Sequence, residues 1–271
     1  MRQLLVGALC ALSLVGACAQ AIVTPNVNLL AEGIPPIPQA IADKVALYTD
    51  FRGYGFVGWH PMERSMLVRH REQGANIAQI YWLKAPGGKP EKLTDFAENV
   101  AAASFAPRDG KYIVYSRDTG GNEATQVFRM DLATRQSTLL SNPDERSSYT
   151  WSRSGQQLLI ESVPLDKTAQ GGSRAMVSTT LTLVEPQKPE TRKRLADLPG
   201  GGWGSFRFSP DDGIIAAQQY RTRNDSDVFL MDAATGILTK ILPKDGAPAA
   251  GYTGFEWSLD QQRLFLTTNQ G

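Results

Sequence analysis

A cassette of four short strand-like segments recurs along this chain, and the recurrence limits the possible folds more than any single residue does. Five triplets mark it: Trp59-His60-Pro61, Phe105-Ala106-Pro107, Trp151-Ser152-Arg153, Phe208-Ser209-Pro210 and Trp257-Ser258-Leu259. Each opens on an aromatic residue, followed by a small or polar one. Their third positions are 46, 46, 57 and 49 residues apart. Asp109-Gly110 and Asp212-Gly213 follow two of them, which is the chemistry of a tight hairpin. A short apolar run comes next in every unit: Met66-Leu67-Val68, Tyr112 to Tyr115, Leu158-Leu159-Ile160, Ile214-Ile215-Ala216 and Leu264-Phe265-Leu266. Further runs cover Gln79 to Leu83, Gln126 to Asp131 and Asp227 to Asp232. Turns at Pro86-Gly87-Gly88, Ala133-Thr134 and Ala234-Thr235-Gly236 then lead into a last strand.

Four strands in a period of about 46 residues is the dimension of a propeller blade. A β-sandwich also has short strands at regular intervals, but it does not repeat one cassette with the same aromatic at the same step. The expected fold is therefore all-β: a β-propeller of four complete four-stranded blades and a partial fifth. The five leading aromatics are expected to fill the seams between blades. The third unit fits worst, with an insertion between Val163 and Ser178. The fifth unit reaches Gly271 after two strands. Either the N-terminal stretch completes it or the natural chain continues, and continuation is the expectation because an unfinished blade leaves an open edge.

The first residues are of another kind. Met1-Arg2 carries one positive charge, and Leu4 to Ala17 is apolar and small. Such a segment rises about 21 Å as a helix, short of a hydrocarbon core of about 30 Å. Residues 1–21 therefore read as a signal peptide, with no transmembrane segment anywhere in the chain. Val15-Gly16-Ala17-Cys18 has the form of a bacterial lipobox, which would lipidate Cys18. Ala17-Cys18-Ala19 and Ala19-Gln20-Ala21 fit ordinary cleavage equally well. The expected location is periplasmic, anchored to the outer membrane as a lipoprotein, or secreted. Residues 22–50 read as a linker and a short helix from Gln39 to Tyr48, with Ile41, Val45 and Tyr48 on one face. Residues 51–271 are the propeller. A formal net charge of +1 gives no reason to expect nucleic acid as a partner. Both cysteines, Cys10 and Cys18, lie in or beside the leader, so the mature domain needs a core that holds without disulfides.

Some stretches carry a resemblance. Phe51 to Pro61 with Ala85-Pro86-Gly87-Gly88, and Tyr115 to Glu123 followed by Gln126 to Asp131, resemble the propeller of bacterial prolyl oligopeptidase-family (S9) serine peptidases. The Phe208-Ser209-Pro210-Asp211 type of repeat is shared more widely, notably with TolB-like propellers. The resemblance covers roughly residues 34 to 271. It implies a propeller that precedes a C-terminal α/β-hydrolase domain, admits peptide substrates and excludes folded proteins. The alternative is a stand-alone TolB-like envelope module that binds a protein or peptide. No Gly-x-Ser-x-Gly elbow occurs in the chain, so no catalytic residue carries over and no complete catalytic site is expected.

Other candidates read as structural. His60 sits at the small or polar step of its unit, as a turn residue. His70 lies between Arg69 and Arg71 and reads as a solvated rim position. Asp225-Ser226-Asp227 and Asp211-Asp212 lack the oxygen count and loop form of a calcium site, and no cofactor or metal is expected. Arg192-Lys193-Arg194 reads as an edge guard near a strand end. The tryptophans read as core. The segment from Arg117 to Thr125 joins two strands of the second unit and projects from one propeller face. Arg117, Asp118, Asn122 and Glu123 are the candidate recognition residues, because loops on rigid scaffolds often carry binding.

Overall fold

The computed structural model describes residues 21–165 and 177–270. The leader with Cys18 and the middle of the insertion after Val163 lie outside the described residues. The described residues form two units, one ending at Arg52 and the other beginning at Gly53. In the first, Ile22 bridges Pro38 and helix α1 follows at Gln39–Thr49. Ile41 and Val45 share a face as the spacing predicts, yet the helix buries none of its residues. No helix among the described residues is long and apolar enough to cross a membrane.

The second unit is five antiparallel sheets. Blade 1 contains β1 (Gly55–Trp59), β2 (Met66–His70), β3 (Gln79–Leu83) and β4 (Glu91–Lys92). Blade 2 contains β5 (Val100–Phe105), β6 (Tyr112–Arg117), β7 (Gln126–Asp131) and β8 (Ser137–Leu139). Blade 3 contains β9 (Glu145–Trp151), β10 (Leu158–Pro164), β11 (Ser178–Glu185) and β12 (Lys188–Pro199). Blade 4 contains β13 (Trp203–Phe208), β14 (Ile214–Thr222), β15 (Asp225–Asp232) and β16 (Leu238–Leu242). Blade 5 pairs β17 (Tyr252–Trp257) with β18 (Leu264–Thr268). The all-β propeller with four complete blades and a partial fifth is the architecture observed. Blade 3, the poorest repeat, is a full blade. Its Arg192-Lys193-Arg194 cluster lies in the middle of the outer edge strand β12, not near a strand end.

Successive side chains on a strand point to opposite faces, so a sheet between two neighbours must be apolar on both. The second strand of each inner blade shows this. Ile113 and Tyr115 join the seam with blade 1, while Tyr112 and Val114 join the seam with blade 3. Leu158 and Ile160 face blade 2, whereas Leu159 faces blade 4. Ile215 and Ala217 then face blade 3, and Ala216 faces blade 5. Burial from both sides explains why these strands read as unbroken apolar runs rather than as alternating ones. Each fully buried Val, Leu or Ile contributes about 1.5–3 kcal/mol, so the seams supply most of the cohesion.

Four of the leading aromatics lie in these seams: Phe105, Trp151, Phe208 and Trp257. The fifth departs from expectation. Trp59 is 63% exposed, because its face of blade 1 has no neighbouring blade among the described residues.

The residue after each aromatic closes the first turn of its blade. Ser209 Oγ accepts the Ile214 N–H at 2.9 Å and donates to Asp211 at 2.7 Å. Ser258 Oγ likewise accepts from Arg263 at 2.9 Å and donates to Asp260 at 2.6 Å. In blade 1 the acceptor is His60 Nδ1, which takes the Met62 N–H at 3.2 Å. Each turn also contains one left-handed residue in blades 2 to 5: Gly110, Gly155, Asp212 and Gln261.

The turns touch in sequence around the axis. His60 lies against Gly110, where an added Cβ would fall 1.9 Å from Nε2. The Asp212 carboxylate accepts the Arg153 and Ser154 N–H groups at 2.5 and 3.1 Å, so blade 4 caps the turn of blade 3. Gly110→Ala, which adds a Cβ to a left-handed and fully occupied position, is expected to cost about 1–3 kcal/mol. Ser209→Ala is expected to cost about 1 kcal/mol through one uncapped N–H. Urea unfolding midpoints measure both, and unchanged midpoints would remove the turns from the account of stability.

Candidate functional site

The loop after β6 is held from within. The Arg117 guanidinium lies over the rings of Phe96 and Phe128, at 4.6 and 5.1 Å from their centroids. Its Nη1 donates to Glu98 Oε2 at 3.1 Å and to the Asp118 carbonyl at 3.3 Å. Glu98 Oε1 accepts the Gly120 N–H at 3.1 Å. Asp118 Oδ2 accepts the Glu123 N–H, and Asn122 Oδ1 accepts the Ala124 N–H, both at 3.0 Å. Thr125 ties the loop to blade 3 by donating to the Ser147 carbonyl at 2.9 Å. Arg117, Asp118 and Asn122 thus use polar atoms to fix the loop backbone. Glu123 is exposed, adopts a φ of 57°, and borders a hollow of about 150 Å³ with Arg146 and Pro164. The structure brings the four residues onto one loop and leaves the Glu123 carboxylate on its surface.

Both histidines are packed. His60 is 8% exposed, parallel to Trp82 and edge-on to Phe105. His70 does end β2, but it is not a solvated rim residue. Tyr54 stacks on its ring at 4.1 Å, Tyr81 meets it edge-on, and its Nδ1 lies 3.4 Å from the Gly53 carbonyl. Asp225 and Asp227 lie on strand β15 and share Arg221, with Lys240 also on Asp227. The Arg221 guanidinium holds both carboxyls below the usual carboxylate range. Asp211 is also lowered, by Ser209 and the Gly213 N–H. No group of three or more His, Cys, Asp or Glu gathers into a metal-binding arrangement among the described residues.

A grouping of polar and aromatic side chains lies where the inner strands converge on the propeller axis. Inner strands β5, β9, β13 and β17 border a cleft of about 450 Å³. Ser104, Tyr149, Trp151, Arg153, Arg207, Glu256 and Trp257 are among the residues that line it. Ser104 Oγ accepts the Trp151 Nε1–H at 2.9 Å and lies 3.0 Å from the Tyr149 hydroxyl. That hydroxyl donates to the Val114 carbonyl at 3.0 Å, and burial pushes its pKa up to about 12. Trp257 Nε1 donates to the Arg207 carbonyl at 3.2 Å. Arg153 Nη1 lies 4.0 Å from Glu256.

Sequence reasoning missed this cleft, although a signal exists. The residue before each leading aromatic is Ser104, Thr150, Arg207 or Glu256 in blades 2 to 5, and every one of them lines the cleft. The chemistry sat one position away from the residues that marked the repeat. Trp151 and Trp257, read only as core, border it as well.

No protein-family model matches this sequence, and no curated protein matches it. Solved structures do match in fold. A prolyl endopeptidase from a study of two such enzymes superposes with a TM-score of 0.63 at 12% identity, over 86% of this chain and 36% of that one. An oligogalacturonate lyase in complex with manganese gives 0.62 at 15% identity, over 80% of this chain and 59% of the lyase. A puromycin-hydrolyzing peptidase from Mycobacterium tuberculosis gives 0.56 at 12%, over 80% and 36%. The chain spans 36% of each of these two peptidases and 59% of the lyase. Likeness at such identities is likeness of fold, and the shared fold is the β-propeller.

Beside the cleft, burial pushes the Glu161 carboxyl up, against the Ser148 hydrogen bond at 3.2 Å and the positive charge of Arg146. A native pKa above the unfolded one means that the folded state holds the proton longer. Stability is then complete below the ordinary carboxylate range and falls as pH rises through the raised native value. Glu161→Gln, which cannot ionise, is expected to raise the melting temperature at pH 7 and to lose this advantage near pH 4. Thermal melts of both proteins across that range test it. A difference that does not change with pH would show that Glu161 does not titrate with folding.

Proposed function

We propose that this chain is the non-catalytic propeller of an exported serine peptidase of the prolyl oligopeptidase (S9) family, and that it controls access of peptides to a C-terminal α/β-hydrolase domain. The observation that carries this reading is the axial cleft. Four inner strands border a polar and aromatic cleft of about 450 Å³, a volume that suits a peptide segment and not a folded domain. The Phe51 to Pro61 and Tyr115 to Asp131 stretches support the same lineage. Peptidases of this class are among the proteins that share the fold. The leader with its lipobox-like Val15 to Cys18 supports export. The propeller contributes selection by size, and bond cleavage belongs to the hydrolase.

In the native host, an antibody against the propeller tests this reading together with a fluorophosphonate probe for active serines. The expected result is one exported species, longer than 271 residues, that carries both signals. A propeller-reactive chain that the probe never labels would overturn the peptidase reading in favour of a stand-alone binding module. The 271-residue chain alone is expected to remain unlabelled.

A further inference from the structure

We propose that the axial cleft binds the C-terminal end of a peptide, with Arg153 and Arg207 holding the terminal carboxylate and Trp151 and Trp257 flanking the last side chain. The inference rests on what the cleft residues leave unused. Both indole N–H groups and the Tyr149 hydroxyl already have partners in the protein, so these rings offer faces rather than donors. The guanidinium groups are the reverse. Arg207 Nη1 donates to the Phe206 carbonyl, and Arg207 forms no ion pair among the described residues. Arg153 reaches only Glu256, at 4.0 Å and with both side chains about half exposed or more, a weak pairing. Several N–H donors therefore remain on two cations that border one cavity.

Both cations also start from fixed backbone. The Arg153 N–H is held by the Asp212 carboxylate, and the Arg207 carbonyl is held by Trp257 Nε1. Planar guanidinium groups match the two oxygens of a carboxylate, and the fixed backbone leaves only the exposed side chains to be ordered on binding.

Glu256 decides the class of ligand. A carboxylate beside the cationic pair repels a polyanion such as an oligouronate. It tolerates a ligand with a single negative charge and can accept an N–H, and a peptide end supplies one of each. The aromatic faces favour an apolar or aromatic last side chain. The site is independent of the gating role and would serve a stand-alone propeller equally.

Tryptophan fluorescence and calorimetric titration of the full chain with N-acetyl-Ala-Phe and with its C-terminal amide test the proposal. The acid is expected to bind at least about tenfold more tightly than the amide, and more weakly as salt rises. Arg153→Ala and Arg207→Ala are each expected to weaken the acid about tenfold, with melting temperatures unchanged because both side chains are exposed. Glu256→Gln is expected to tighten it, a gain that loss of a merely structural residue would not give. Equal binding of acid and amide, or no binding of either, overturns the proposal. Digalacturonate binding more tightly than the peptide acid overturns the choice of ligand. If an arginine variant fails to fold, the acid-to-amide ratio and the salt dependence of the unmodified protein decide.

Discussion

Burial of one strand from two directions is the constraint on which the rest of this protein depends. A sheet that stands alone can hide one face and wet the other, and its sequence then alternates. Here Ile113 and Val114 are neighbours in the chain, and both are fully buried in different seams. The same holds for Leu158 and Leu159, and for Ile215 and Ala216. Such a strand needs cover on both faces, and the neighbouring blades on either side supply it, one after another about the axis. The cleft is a by-product of that arrangement, because the innermost strands converge without meeting.

Around this apolar frame the polar residues have two separate employments. At the turns they replace missing backbone partners. The Ser209 and Ser258 hydroxyls close the first turn of their blades, and Asp131 and Asp232 take N–H groups from the turns after the third strand. Those donors hold both carboxyls below their ordinary range, Asp131 chiefly through the Thr134 N–H and Asp232 through the Thr235 side chain and N–H. In the loop after β6, Arg117 with Glu98 does comparable work by charge. On the axis, the groups left over are the guanidinium donors and the ring faces, and these give the cleft its chemistry.

The repeat was legible because geometry copies it: one aromatic and one turn in every unit, with a doubly buried second strand in the inner blades. What escaped notice lies off the period. Ser178–Glu185 is a strand in which Thr179, Leu181 and Leu183 alternate inward, but the insertion before it hid its register. Arg192 to Arg194 looked like a strand end because β12 is the outermost strand and packs inward chiefly through Leu195 and Leu198. His70 was misread because its stacking partner, Tyr54, precedes the first strand of the cassette. The loop of Arg117 to Thr125 could be located from sequence. Its partners Phe96 and Glu98 could not, since they belong to a connection between blades that has no periodicity. The cleft is hard to read from sequence because its residues, Ser104, Thr150, Arg207 and Glu256, vary in type from blade to blade while the aromatic that follows each is kept.

The hydrogen bonds from Asp212 to the amides of Arg153 and Ser154 have a wider consequence. They join adjacent blades and no others, as the hydrophobic seams do. Cooperativity in such a molecule is therefore a nearest-neighbour property, as in other proteins assembled from stacked units. Damage at one junction is felt by the two sheets beside it and fades beyond them, so a propeller of this kind can change a single blade without redesigning the whole.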